Sequence, residues 1–152
     1  MIIIIAGSGK DAPTFGAIVK HLDILGVPSK VEIASAHKTP EYLLKILTGY
    51  ENRQKPLVYI TVAGRSNALG GFVDAQTAFP VINCPPKSEN YAGLDILSSL
   101  RMPSGVAALT VLEPDQAAIA AVKILALESK VLRRKITAFQ KQMRQEIVNS
   151  NK

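Results

Sequence analysis

His37 is one of only two histidines in the chain, and it stands in "SAHKTP" (35–40) between Ser35 and Lys38. Imidazole is the one side chain there able to exchange a proton near neutral pH. A serine hydroxyl and a lysine ammonium are partners for phosphate. Taken alone, a loop histidine is as readily a capped or solvent-exposed residue. His21 reads differently: beside Lys20, off the apolar stripe of its helix, it belongs to the surface. Two other short segments carry comparable chemistry. In "AGSGKD" (6–11) a Gly-Ser loop feeds a helix start, whose free N–H groups and positive dipole end favour an anion, with Ser8 beside them. A tight turn explains the same residues, and Asp11 by itself is more often a helix cap than a ligand contact. A triphosphate-binding loop is excluded, because Ile4 stands where its first glycine belongs and Asp11 replaces the hydroxyl that holds magnesium. A dinucleotide-type glycine pattern fails at Pro13 and Phe15. In "AGRSNALG" (63–70) small residues at Ala63 and Gly64, then Arg65, Ser66 and Asn67, let backbone approach a planar ring or a small anion. It too could be an ordinary strand-to-helix turn.

These segments share one context: each follows an apolar run and precedes a helical period. "MIIIIA" (1–6), "KVEIAS" (30–35), "LVYITVA" (57–63), "PVINC" (80–84) and "GVAALTV" (105–111) read as strands. Helices are expected from Asp11 to about residue 25, over 40–50, 68–78 and 92–100, over an alanine-rich stretch at 115–127, and over 130–148. Strand, loop and helix repeated five times predict a three-layer open α/β fold with a parallel sheet and right-handed crossovers. Ligands bind such sheets beyond the carboxyl ends of the strands, at the topological switch point. The three chemistry-bearing loops would be neighbours there.

The chain has 152 residues, a size for one domain, with 47% hydrophobic and 20% charged residues, so a folded body is expected. The apolar start stops at Gly7, too short for a signal peptide or membrane span. Cys84 is the only cysteine; with two histidines it makes a zinc site improbable. The expectation is a cytoplasmic protein without metal. Net charge is +6, yet residues 1–128 are neutral, and residues 129–152 hold seven basic residues against one acidic. That pattern reads as a solvated helix face and argues against nucleic acid as a partner. "AAIAAVKILAL" (117–127) is apolar around nearly its whole circumference, which predicts burial against another subunit. Leu132, Ile136, Phe139, Met143 and Ile147 form a stripe on the last helix, expected to dock on a neighbour more than on its own body. A homo-oligomer follows.

Together "GSGKD", "SAHKTP", "AGRSNALGGFVDA", "NCPP" and "SSLRMPSGVA" resemble, in order and spacing, the phosphoribosylaminoimidazole carboxylase family over residues 1 to about 128. The resemblance implies a flavodoxin-like sheet as a catalytic domain (1–128), with 129–152 as its C-terminal helical extension. It also implies an octamer with active sites shared between subunits. The implied reaction is the carboxylation of aminoimidazole ribonucleotide (AIR) by carbon dioxide, with no cofactor. The family's other class is a mutase acting on the carbamate isomer of AIR. It typically reads Ser-Ala-His-Arg-Thr-Pro with a different third loop, so "SAHKTP" and "GRSNALG" resemble the carbon-dioxide-using class II. Carried over by position, Ser8 and Ser35 would bind the substrate phosphate with Lys38 as its cation, and Asp11 the ribose hydroxyls. Ala63, Gly64, Arg65 and Ser66 would hold the ring and the carbon dioxide, and His37 would carry the proton. The departure is Lys10, where the family usually has a second serine. It either adds a cation to the phosphate or points outward. The rival outside catalysis is a silent binder of phosphoribosyl ligands.

Overall fold

Four successive isoleucines make the first strand because branched side chains suit a pleated surface covered on both faces. Ile2–Ala6 form β1, with every residue fully buried. The computed structural model describes residues 1–52 and 55–151; Lys152, the last residue of the tail, lies outside them. After β1 come α1 (Ala12–Ile24), β2 (Ser29–Ile33), α2 (Pro40–Glu51), β3 (Val58–Val62) and α3 (Ala68–Asp74). Then follow β4 (Val81–Asn83), a 3-10 segment (Asn90–Ile96) running into α4 (Leu97–Leu100), β5 (Leu109–Thr110), α5 (Pro114–Leu125) and α6 (Lys130–Asn149).

All strands pair in parallel, in the order β2-β1-β3-β4-β5. This is the flavodoxin-like order, with its switch point between β1 and β3. The two-residue period of the strands splits the core in two. Ile2, Ile4, Val58, Ile60 and Ile82 face one side, covered by α1, α5 and α6. Ile3, Ile5, Tyr59 and Val81 face the other, against Leu43 and Leu47 of α2 and Leu69 and Val73 of α3. Each such side chain contributes about 1.5–3 kcal/mol by leaving water.

Three expected elements are shorter than predicted. The strand expected over 105–111 pairs only at Leu109 and Thr110, because Gly105 turns at φ 82 and the Ala107 N–H donates to Asp74 Oδ2 at 2.7 Å. The third helix stops at Asp74 instead of residue 78. There Thr77 donates its hydroxyl to Glu51 and accepts the Phe79 N–H at 3.0 Å, local bonds that compete with helix. The helix expected at 92–100 is α-helical only from Leu97, since Tyr91, Ala92 and Gly93 all have positive φ.

The apolar helix is covered in part by its own chain. In α5, Ala117, Ala118, Ala121 and Val122 are fully buried against the sheet, α1 and α6, while Ile119, Ala120 and Ile124 stay partly exposed and Leu127 just beyond its end is exposed. Likewise the first half of α6 docks on its own body, with Ile136 buried and Leu132 and Phe139 packed on the same core. Only its far end, carrying Met143 and Ile147, leaves the stripe exposed. The basic face is partly used as well. Arg133 donates to the Ala126 and Leu127 carbonyls closing α5, and Lys135 Nζ to the Gly26 carbonyl closing α1 at 2.6 Å. Cations at helix C-termini are favourable there.

Candidate active site

Parallel pairing brings the ends of β2, β1 and β3 level, and backbone bonds continue past the strands. Ala34 N–H donates to the Ala6 carbonyl, and Gly7 N–H to the Val62 carbonyl, both at 2.9 Å. The first and third loops also touch: a methyl built on Gly7 would lie 3.5 Å from Ala63 Cβ and 3.9 Å from Asp11 Oδ2. The three loops singled out from the sequence therefore meet at one end of the sheet.

In the first loop Ser8 is extended and its Oγ accepts the Lys10 N–H at 3.1 Å. In the second, Ser35 Oγ accepts the Lys38 N–H at 3.3 Å, while Ser35 N–H donates to Thr39 Oγ1 at 2.9 Å. Both serines act as acceptors in these bonds, so each hydroxyl hydrogen stays available for an oxygen ligand. His37 sits at the tip of that turn, exposed, with Lys38 exposed beside it. Asp11 caps α1 by position without a side-chain capping bond. Burial raises its carboxyl pKa above the ordinary value, with a backbone hydrogen bond at Ser8 opposing the shift. Lys10 is exposed, and His21 is partly exposed in α1. Cys84 is fully buried; burial, then Glu113 and Asp115, push its thiol up to about 12, which removes it as a nucleophile at neutral pH.

The third loop leaves β3 through Ala63 and Gly64, both partly exposed, and turns at Arg65, which has φ 58. Asn67 then caps α3, its side chain accepting the Gly70 N–H at 3.2 Å. A cavity of about 730 Å³ opens beside Gly64, running under the loop that follows β4 to Pro86, Asp95, Ser99 and Glu113. One end of the sheet thus presents hydroxyl donors, a lysine, a carboxylate, an exposed imidazole and a loop of small residues, next to an open cavity.

The AIR carboxylase family model matches residues 1–146. The chain belongs to the AIR carboxylase family. A phosphoribosylaminoimidazole carboxylase from Archaeoglobus fulgidus is 48% identical over 149 residues, 98% of this chain and 82% of that protein. One from Treponema denticola is 41% identical over 151 residues, 99% of this chain and 95% of its own. The crystal structure of Treponema denticola PurE matches the fold with a TM-score of 0.96, at 41% identity, covering 99% of this chain and 95% of that one. The AIR carboxylase match runs past residue 128 into α6, farther than the motifs alone carry the resemblance.

Residue-level reading missed what lies behind the third loop. Asp95, Ser98 and Ser99 all bond to it, from some thirty residues further along the chain. Their signal was the "SSL" of a motif otherwise read only as a family marker.

Proposed function

We propose that the protein carboxylates AIR with carbon dioxide to carboxyaminoimidazole ribonucleotide (CAIR), reversibly, as a step of purine biosynthesis. The observation that carries this reading is the meeting of Ser8 and Asp11, Ser35 to Lys38, and Ala63 to Ser66 at the β1/β3 switch point. Ser8 and Ser35 donate to the substrate phosphate and Lys38 supplies its cation. Asp11 accepts from the ribose hydroxyls. Ala63, Gly64, Arg65 and Ser66 hold the aminoimidazole and the carbon dioxide against each other.

The chemistry asks little of the protein beyond position and one proton. The ring carbon beside the amino group of AIR is enamine-like, and its electron pair forms the new carbon–carbon bond to carbon dioxide. That carbon then carries both a hydrogen and a carboxylate. A base must take the proton so that the C–H electrons restore the aromatic ring. His37 takes it, and returns it to the same carbon in decarboxylation. Positioned proton transfer contributes about 10²–10⁴-fold. Holding the gas against the ring and N–H donors on the developing carboxylate supply the remainder.

The reaction needs no cofactor, and its partners are AIR, carbon dioxide and further copies of the chain. The protein works in the cytoplasm; among the described residues no helix is long and apolar enough to cross a membrane. We place the catalytic domain at 1–128 with 129–152 as its helical extension, assembled as a homo-octamer with shared active sites. Support for assembly comes from Leu94, Leu97, Leu100, Leu109 and Leu112, all exposed, and from the bare end of α6. Lys10 is exposed at the mouth of the first loop and stands as a second cation available to the phosphate.

The test is a forward assay with AIR and dissolved carbon dioxide, without ATP, following CAIR by ultraviolet absorbance. Product from AIR alone is expected. Product only from the carbamate isomer would make the protein a mutase, and none from either would leave a silent binder.

A further inference from the structure

Arg65 is held in a left-handed conformation that side-chain-bearing residues adopt only at a cost, so something must hold it. Both of its backbone polar groups are occupied by one short stretch of chain. Its N–H donates to Asp95 Oδ2 at 3.1 Å. Its carbonyl lies 2.8 Å from Ser98 Oγ, whose one hydrogen is shared with the Asp95 carbonyl at 2.7 Å, and the same oxygen accepts the Asn67 N–H at 3.0 Å. A further layer fixes the stretch itself. The Asn67 side-chain amide donates to Ser99 Oγ at 2.8 Å, and Thr110 Oγ1 donates to the Ser99 carbonyl at 2.9 Å. Asn67 and Ser99 are buried, while Asp95 and Ser98 are partly buried. Among the described residues, the N–H groups flanking Arg65, those of Gly64 and Ser66, have no partner.

We infer that Asp95 and Ser98 are positioning residues for the carboxylation, bracing Arg65 so that the Gly64 and Ser66 N–H groups converge on the carboxylate that develops on the ring. The inference rests on the functional reading above. A carboxylate on Arg65 N–H is a charge-assisted bond, stronger than a neutral one. The pairing uses up the middle residue of the loop and leaves its neighbours to the ligand. Donors that stabilise a developing charge act only if they stand still before it forms, so the geometry behind them counts as much as the donors. Phosphate and ribose are held by the other two loops, so loss of the brace falls on turnover more than on affinity.

The test is steady-state carboxylation of AIR by wild type, Asp95→Ala, Asp95→Asn, Ser98→Ala and Ser98→Thr. Asp95→Ala and Ser98→Ala are each expected to lower kcat by about 10–100-fold, with KM for AIR changed by less than about threefold. Asp95→Asn and Ser98→Thr retain an oxygen acceptor and a hydroxyl respectively, and should recover much of kcat. A merely structural role would lower the amount of folded protein without this split or rescue. If Asp95→Ala does not fold, Ser98→Ala carries the same comparison. Both alanine variants within about twofold of an active wild type would overturn the inference alone. Equal impairment of the alanine and conservative variants would overturn it too. A wild type that does not carboxylate AIR would overturn the functional reading, and this inference with it.

Discussion

Asp11, proposed to bind the ribose, is placed at a cost to stability. Burial raises its pKa, so the folded state holds the proton more tightly than the unfolded chain does. The stability this group contributes is full below its unfolded pKa and is lost as pH rises through the folded one. Asp11→Asn should therefore gain on wild type as pH rises from about 4 toward neutrality, measured by chemical denaturation at several pH values. A constant difference, or one moving the other way, would contradict the assignment. The same variant should weaken AIR binding by about tenfold or more, since a hydrogen bond to a charged group contributes about 1.5–3 kcal/mol. That Ser8, Asp11, Ser35 and His37 share one end of the sheet was legible in the sequence, because each lies in a loop that follows an apolar run, where topology decides what meets. Asp95 and Ser98 were not. Their role depends on the φ of Arg65, a dihedral angle that no spacing reveals.

At the scale of elements, α3 is the clearest case of packing overriding propensity. Two adjacent glycines weaken a helix, yet Gly70 lies inside one. Its reason is across the sheet: a methyl built there would fall 1.7 Å from Asn83 Oδ1, which accepts from Thr61 Oγ1 at 2.7 Å. Gly70→Ala should destabilise the protein by about 2 kcal/mol or more, as overpacking in a rigid core does. Urea denaturation checks it, and a neutral result would mean that α3 can move off the sheet. β1 and β3 were legible because their runs are short and rich in β-branched residues, as a strand buried on both faces requires. The ends of α3 and β5 were lost to side chains, Thr77 and Asp74, that bond to the backbone and stop the element early. The run of left-handed residues at Tyr91–Gly93 likewise cut the expected fourth helix to one turn.

For the whole molecule, the apolar circumference of α5 is covered on several sides by the sheet, α1 and α6 of the same chain, with Ile119 and Ile124 left partly exposed. Periodicity reports how much of a helix is covered and is silent on which chain covers it. The proposed assembly has apolar surface to use at the end of α6, exposed throughout residues 141–151, at Leu127 and at the leucines around α4 and β5. If the proposed octamer uses the end of α6, removing residues 141–152 should leave the chain folded by circular dichroism and give a species smaller than the full chain's by sedimentation. An unchanged assembly would take α6 out of the interface. Above all, the proposed reaction turns on one proton. His37 is exposed at the site and its side chain takes no part in the core, so His37→Asn removes the proposed carrier and leaves the fold alone. The decisive measurement is CAIR decarboxylation by that variant, with CAIR binding followed by calorimetry on the same sample. The account predicts near-normal binding with turnover lower by about 10²–10⁴-fold. Near-normal turnover would mean that another group moves the proton.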